Sequence, residues 1–323
     1  MYVLIVKTSS MGDILHTLPA LTDAIRAIPE ICFDWVVEEN FAQIPTWHPS
    51  VNKVKRVAIR RWREHWFGTQ QRKERMYFKR DLQSYQYDKI IDAQGLIKSA
   101  ILVTRLAKGE KHGQDIKSAR EPFASWWYDQ CHSINKKQHA VERTRELFAK
   151  SLGYSKPITK GEYAISRNSF FQLPHDAYEY LLFLHSTTHD NKHWPEFYWR
   201  QLIQKIKPTN LKIKLLWKTE LEYQRVRRLS EGFKHVTILP QLTLEKIAEQ
   251  IVGARAIVSV DTGLSHLAAA LDRPNITLYG PTDPQLIGGY GRNQIALISS
   301  TYNLNDLKVN HVLSHIQSIL INS

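Results

Sequence analysis

The sequence has few cysteines and no long apolar run, and these two absences exclude several classes of protein. Cys32 and Cys131 are the only cysteines among 323 residues, and neither lies in a CxxC or Cys/His cluster. We therefore expect neither a disulfide framework nor a structural zinc site. No segment approaches the roughly 20 consecutive apolar residues of a membrane-spanning helix. The start, Met1 to Lys7, is typical of a strand and not of a signal peptide, which predicts a cytoplasmic protein.

Several motifs of nucleotide and metal chemistry are also missing. There is no Asp-x-Asp pair, so the usual carboxylate ligands for a divalent metal on a sugar nucleotide are lacking, and we expect no metal and no cofactor. There is no P-loop and no G-x-S-x-G, and Gly288-Gly-Tyr-Gly291 does not follow a convincing strand. The sequence thus disfavours an ATPase, a hydrolase and an NAD enzyme.

Positive charge, in contrast, is abundant and is concentrated in the first half of the chain. The net charge is +13, and residues 1–160 carry 27 Lys and Arg against 17 Asp and Glu, a net +10. Residues 53–80 alone hold 11 basic residues, with five aromatic residues between them. Such a stretch could bind a phosphorylated substrate, a phospholipid surface or nucleic acid. A helix face that is merely solvated would explain the same pattern equally well.

Apolar runs alternate with helical periodicity in both halves, which predicts two α/β domains with parallel sheets. A turn-rich stretch between residues 155 and 180, with one short strand near Tyr163, marks the junction, and we place the domains at 1–168 and 169–323. Pro19 either kinks the first helix or marks its start. A C-terminal amphipathic helix is predicted over 306–321. The predicted strands are Val3–Lys7, Phe33–Val37, Tyr87–Asp92, Tyr180–His185, Ile213–Trp217, Val236–Leu239, Ala256–Val260 and Ile276–Tyr279.

Three loops between a strand and a helix carry the candidate chemistry, because open parallel sheets bind ligands beyond the carboxyl ends of their strands. In the loop 261–266, Thr262, Gly263 and free helix amides can donate to phosphate or sugar oxygens, while Asp261 can accept from sugar hydroxyls. Asp261 and Ser265 could equally well only cap the helix.

The other two loops supply a cation and a carboxylate. In the loop 187–194, Thr187 and Thr188 can bind a diphosphate, and Lys192 can neutralise the charge on a departing nucleotide. In the loop 8–13, Asp13 could be the general base of an inverting sugar transfer, acting from the first domain across a cleft, or it could cap the helix that follows.

These motifs, from Thr8–Leu21 through Asp92–Ser99 and His193–Pro195 to Val260–His266 and Asn275–Gly291, resemble the lipopolysaccharide heptosyltransferases of glycosyltransferase family 9. The resemblance runs from residue 1 to about 295. It implies the GT-B fold class, with two Rossmann-like domains facing a central cleft and a last helix that crosses back to the first domain. It also implies metal-independent, inverting transfer of L-glycero-D-manno-heptose from ADP-heptose to the inner Kdo of Kdo-bearing lipid A.

The resemblance further implies roles for individual residues. Asp13 is the base, Thr187, Thr188 and Lys192 hold the diphosphate, and Glu222 meets the ribose hydroxyls. Leu242 lines the adenine pocket, where the family pattern has Met. The remaining donor residues are Asp261, Thr262, Gly263, Leu264 and His266, and the acceptor candidates are Ser10, Gly12, Arg60, Arg61, Arg63, Lys98, Arg120 and Arg143.

The expected partners are ADP-heptose and Kdo-bearing lipid A at the cytoplasmic face of the inner membrane of a Gram-negative bacterium, with peripheral contact through the basic first domain. Trp62, Trp66 and Phe67 either dip into the bilayer interface or pack in the core. A sister heptosyltransferase that acts on a later core acceptor is one alternative. A non-catalytic protein that binds nucleic acid or a membrane surface is another, although no nucleic-acid module is recognised and we expect no nucleic-acid partner.

Overall fold

The chain divides into two compact α/β units, Met1–Ile165 and Ser166–Ser323, in a computed structural model that describes residues 1–166 and 172–322. The predicted boundary between residues 168 and 169 lies outside the described residues. Among the described helices, none combines the length and the apolar character that crossing a bilayer demands.

Unit 1 contains a six-stranded sheet in the order β3-β2-β1-β4-β5-β6, and every strand pairs parallel with its neighbours. The residues from Val3 to Val6 are fully buried, as expected for a strand covered on both faces. The strands are β1 (Tyr2–Val6), β2 (Cys32–Glu38), β3 (Val51–Val57), β4 (Gln86–Asp92), β5 (Lys108–Gln114) and β6 (Gln130–His132), and the helices are α1 (Met11–Leu15), α2 (Leu18–Ala27), α3 (Ile59–Glu64), α4 (Thr69–Gln83), α5 (Ile97–Leu102) and α6 (Ala140–Leu152).

Two details of unit 1 correct the sequence-based prediction. Pro19 lies in the first turn of α2, so it marks the start of a second helix and does not kink one long helix. The short strand predicted near Tyr163 is absent from the described residues, where 154–166 contain no strand.

Helix α6 packs on α2 through a buried ion pair, in which Arg145 Nε lies 2.6 Å from Asp23 Oδ2 and the two side chains are 1% and 3% exposed.

Unit 2 repeats the architecture, with a parallel sheet in the order β12-β11-β10-β7-β8-β9. All five predicted strands are present, and β12 is an addition. Pro195 is the N-cap of the helix that begins at Glu196. The strands are β7 (Tyr180–Leu184), β8 (Lys212–Leu215), β9 (Val236–Ile238), β10 (Ala256–Val260), β11 (Asn275–Tyr279) and β12 (Gln294–Ile298), and the helices are α7 (Glu196–Ile206), α8 (Glu220–Ser230), α9 (Leu244–Gly253), α10 (Gly263–Ala270), α11 (Pro284–Ile287) and α12 (Val309–Asn322).

The C-terminal helix α12 begins at Val309 and not at Asp306, because residues Leu304–Asp306 form a 3-10 turn. Its apolar residues Val309, Val312 and Ile316 are buried in the core of unit 2, where the helix packs on α7, β10 and β11. The buried face of the helix thus packs within unit 2, and its return to the first domain stays a prediction.

Candidate functional site

At the carboxyl edge of the unit 1 sheet, the loop after β1 is held by the loop after β4. The backbone amides of Thr8 and Ser9 donate to Gln94 Oε1 at 2.8 and 3.1 Å. Gln94 is held in turn because its own amide and that of Gly95 donate to the fully buried Asp92 Oδ1 at 2.9 and 3.0 Å. The loop that leads to Asp13 is thus held in place by hydrogen bonds within unit 1.

Asp13 is the third residue of helix α1, whose N-cap is Ser10. Its Oδ2 accepts from both the backbone amide and the hydroxyl of Ser10, each at 2.9 Å, and Gly12 between them is buried. The N-cap is therefore Ser10 and not Asp13, and Asp13 supports that cap from within the helix. Burial alone would raise the pKa of Asp13, but the Lys7 ammonium, the Ser10 hydrogen bonds and Arg120 together hold it below its usual value. The carboxylate is ionised at neutral pH, as a general base must be.

Cations surround Asp13. Lys7 is only 9% exposed, and its ammonium donates to Ala93 O at 2.8 Å. Burial lowers the pKa of Lys7, and repulsion from Arg143 and Arg120 adds to this effect against the attraction of Asp13. Burial also lowers the pKa of Arg143. We call Lys7, Arg120 and Arg143 the cation group. Because it has three basic side chains against the one carboxylate of Asp13, the group is suited to bind an anion.

The arginines after β3 have different roles. Arg61 is engaged by two carboxylates, with Nε at 3.1 Å from Glu39 Oε1 and Nη2 at 2.9 Å from Glu74 Oε2, and these bonds hold its pKa above the usual range. It ties α3 to α4, so the structure does not leave it free for an acceptor. Of the other predicted cations, Arg60 and Arg63 are exposed, and Lys98 is half-buried like Arg61.

Of the three aromatic residues suggested for membrane contact, only Phe67 stands in solvent, at 94% exposure. Trp62 is buried, and its indole donates to Glu74 Oε2 at 2.7 Å. Trp66 is half-buried beneath the Arg75 guanidinium, 4.0 Å from the ring centroid. The core-packing interpretation is thus correct for Trp62.

In unit 2, Lys192 and Asp261 form an ion pair where β7, β10 and β11 end. Lys192 Nζ lies 2.6 Å from Asp261 Oδ2, and the hydroxyl of Thr282 donates to the same oxygen, also at 2.6 Å. The Asp261 side chain is 8% exposed and that of Lys192 is 22% exposed. Asp261 thus anchors the cation and does not cap α10, whose N-cap is Thr262.

The other residues of this loop pair surround that ion pair. The Thr187 hydroxyl donates to the backbone carbonyl of Asp261 at 3.1 Å, whereas the side chain of Thr188 is exposed. His266 Nε2 lies 3.9 Å from Asp261 Oδ1, too far for a hydrogen bond. Gly263 and Leu264, half-buried, form the first turn of α10, where amides without helical partners are available to an anion.

Glu222 occupies the first turn of α8. Its Oε2 accepts from the amides of Lys218 and Thr219 at 2.6 and 3.1 Å, and its Oε1 accepts from the Ser186 hydroxyl at 2.8 Å. Burial raises the pKa of Glu222, but these hydrogen bonds outweigh burial and the net shift is downward. Glu222 therefore presents an ionised carboxylate beside the β7 loop. Leu242, half-buried, lies just before α9.

Sequence reasoning missed Lys7 and Thr282. Lys7 was assigned to the first strand, although as its last residue it already lies at the carboxyl edge of the sheet. Thr282 follows β11, which pairs with β10, and the rule applied to the loop after β10 also covers this neighbouring loop. Within residues 1–166 and 172–322, no three His, Cys, Asp or Glu side chains converge as a metal site would require.

Comparison with known proteins identifies the family to which the chain is similar. The model of glycosyltransferase family 9 (heptosyltransferase) matches residues 75–317. Lipopolysaccharide heptosyltransferase 1 of Escherichia coli K12 is 60% identical over 319 residues, which cover 99% of this chain and 100% of the relative.

Two solved structures agree with that match. E. coli heptosyltransferase WaaC with ADP has a TM-score of 0.95 at 60% identity, covering 99% of this chain and 100% of that chain. The same enzyme with ADP-2-deoxy-2-fluoro heptose has a TM-score of 0.92 at 59% identity, covering 98% and 99%. The predictions of the GT-B fold class and of a glycosyltransferase are confirmed. The chain belongs to glycosyltransferase family 9, the heptosyltransferases.

Proposed function

We propose that the protein transfers L-glycero-D-manno-heptose from ADP-heptose to the inner Kdo of Kdo-bearing lipid A, with inversion and without a metal. The observation that carries the proposal is Asp13, an ionised carboxylate held at a helix N-terminus within the cation group. Relatives named lipopolysaccharide heptosyltransferase 1 match almost the whole chain, and solved relatives hold ADP and a fluorinated ADP-heptose. Both support the choice of donor.

The donor is bound by unit 2. The Lys192 ammonium and the first-turn amides of α10 neutralise the diphosphate, and Thr187 and Thr188 add hydroxyl contacts. The ribose hydroxyls donate to Glu222, whose Oε1 accepts only from Ser186 among the contacts that the structure describes. Asp261, held by Thr282, accepts from the sugar hydroxyls.

The acceptor is bound by unit 1. Its carboxylates and phosphates meet Lys7, Arg120 and Arg143, and Asp13 takes the proton of the attacking hydroxyl. The hydroxyl oxygen forms a bond to the anomeric carbon while the bond from that carbon to the phosphate oxygen breaks. ADP leaves with the bonding electrons, and attack from the face opposite the leaving group inverts the anomeric centre.

Peripheral contact with the cytoplasmic face of the inner membrane of a Gram-negative bacterium completes the proposal. Helix α4 and the residues before it expose Phe67 together with basic side chains, and an anionic bilayer attracts such a surface. The exposed basic residues of α4 are Arg72, Lys73, Lys79 and Arg80.

The test is an ADP-release assay of the purified protein with ADP-heptose and Kdo-bearing lipid A. We expect turnover with this acceptor and none with an acceptor that already carries the first heptose. The reverse preference would favour the sister heptosyltransferase. A thermal shift with ADP, but not with UDP or GDP, checks the donor base, because a ligand that binds only the folded state stabilises it by mass action.

A further inference from the structure

Two aromatic side chains stand in solvent on unit 1, a few residues beyond Arg120. Phe123 and Trp126 are 52% and 71% exposed, and their rings meet edge to face with centroids 5.0 Å apart. Both lie on the 3-10 turn Pro122–Trp127. Exposing two large rings side by side is unfavourable in water, so a paired display of this kind is typical of an interaction surface.

The turn that carries this aromatic pair is well anchored. Its inner residues Ala124 and Tyr128 pack with Ala100 in a small buried cluster. At its start, the amide of Glu121 donates to Gly95 O at 3.0 Å, and the amide of Ile97 donates to Glu121 Oε2 at 2.7 Å. The exposed rings are therefore held by the fold and do not belong to a loosely packed loop.

The aromatic pair lies at the edge of the sheet that carries the candidate acceptor site. Gly95, which binds the start of the turn, directly follows Gln94, whose side chain holds Thr8 and Ser9 in the Asp13 loop. Arg120 lowers the pKa of Asp13 through its charge. A surface that contacted the pair would thus lie beside the place where the acceptor hydroxyl must arrive.

The charged side chains near Phe123 and Trp126 indicate what kind of surface these rings would contact. Lys117 and Arg120 are exposed, whereas the carboxylates nearby in the chain are engaged. Asp115 accepts from the Ser118 hydroxyl at 2.5 Å, Glu121 accepts from a backbone amide, and Asp129 accepts from the Lys111 amide at 2.8 Å. Aromatic rings flanked by cations match the headgroup region of an anionic bilayer, where Trp concentrates and Lys and Arg meet lipid phosphates.

We propose that Phe123 and Trp126 insert into the headgroup region of the anionic bilayer that carries the glycolipid acceptor, as an anchor separate from helix α4. The anchor holds the edge of the sheet with Asp13 at the membrane surface, so that the acceptor sugar reaches the base without leaving the bilayer. This inference rests on the proposed function for its acceptor, but not for its membrane contact.

The first experiment measures vesicle binding without any acceptor. Wild type, Phe123→Ser/Trp126→Ser and the matched control Phe197→Ser, which removes a ring that is 56% exposed on unit 2, are sedimented with phosphatidylglycerol and phosphatidylethanolamine vesicles. We expect the double variant to lose about tenfold in partition, since two half-exposed rings no longer bury apolar surface, and the control to bind like wild type. In vesicles with brominated acyl chains, the tryptophan fluorescence of wild type should be quenched more than that of Trp126→Phe.

The second experiment compares two acceptors. With the full acceptor in vesicles, kcat/KM of the double variant should fall about tenfold, whereas with a deacylated, water-soluble acceptor it should equal that of wild type. Unchanged vesicle partition would overturn the anchor, and so would an equal loss with the soluble acceptor, since the rings would then position the sugar. If wild type transferred heptose to neither acceptor, the proposed function would fail, while the sedimentation and quenching results would still decide the anchor.

Discussion

A pair of substitutions can separate the proposed role of Asp13 as the base from its observed contacts with Ser10. Asp13→Asn keeps a side-chain oxygen that can accept from the Ser10 amide and hydroxyl, which donate at 2.9 Å in the native structure, but an amide cannot take a proton from the acceptor. Asp13→Ala removes both functions. We therefore expect the two variants to be equally poor catalysts and unequally stable proteins.

The magnitudes follow from the two roles. Loss of a general base costs on the order of 10²–10⁴ in rate, so kcat in the ADP-release assay should fall by that factor in both variants. Loss of the bonds between Asp13 and the N-cap Ser10 costs about 1 kcal/mol, which lowers the midpoint of thermal unfolding by roughly 2–4 °C for a unit of this size. Only Asp13→Ala should show the full shift. Turnover by Asp13→Asn within a few-fold of wild type would refute the assignment of the base.

The pH dependence supplies a further check on the same residue. Because its pKa lies below the usual value, Asp13 is ionised throughout the neutral range, and the rate should show no acidic limb from Asp13 near neutral pH. A carboxyl with a lowered folded-state pKa contributes stability that is present above the unfolded-state pKa and is lost as the pH falls through the folded value. The stability difference between wild type and Asp13→Ala should therefore shrink below about pH 4.

Three further predictions concern other contacts. Lys192→Ala should lower kcat by on the order of 10²–10³, as for loss of one charge-stabilising donor, and retention of wild-type kcat would exclude the assigned role. Thr282→Val should raise the KM for ADP-heptose, because Asp261, the proposed acceptor for the sugar hydroxyls, loses its bond from the Thr282 hydroxyl. Thr282→Ser keeps a hydroxyl and should have the KM of wild type, and steady-state kinetics on both variants would test this. Arg145→Met leaves the buried Asp23 carboxylate without its ion pair and should lower the free energy of unfolding by about 3–5 kcal/mol; a urea midpoint unchanged from wild type would contradict this.

The sequence predicted the strands of unit 2 better than those of unit 1, for a physical reason. Strands β7, β10 and β11 are buried along their whole length, so they appear as continuous apolar runs. Strands β3 and β5, with the sequences VNKVKRV and KGEKHGQ, expose several positions and carry charges there. Their strand character depends on pairing with neighbours distant in the chain, and local composition does not reveal that pairing.

The same limit applies to the candidate site. The loops after β1, β7 and β10 could be found from the strand ends, and the structure places Lys192, Thr187 and Asp261 together as that rule requires. The engagement of Arg61 by Glu39 and Glu74 could not be found in this way. Whether an arginine is free or paired depends on carboxylates supplied by other elements, so a basic stretch in the sequence overstates the cations available to a ligand.

The ion pair between Lys192 and Asp261 indicates whether the lysine contributes mainly to donor binding or mainly to bond breaking. The Lys192 ammonium is paired with the Asp261 carboxylate at 2.6 Å. Under the proposed mechanism a diphosphate competes with that carboxylate for the ammonium, so the net gain in binding free energy is small. Under the same mechanism, negative charge grows on the departing phosphate but not on Asp261 as the bond to the anomeric carbon breaks, so the ammonium interacts more strongly with the nucleotide in the transition state. The hydroxyl of Thr282 donates to Asp261 independently of Lys192, and this bond lowers the cost of weakening the ion pair. The contribution of Lys192 should therefore appear in kcat much more than in the affinity for ADP-heptose.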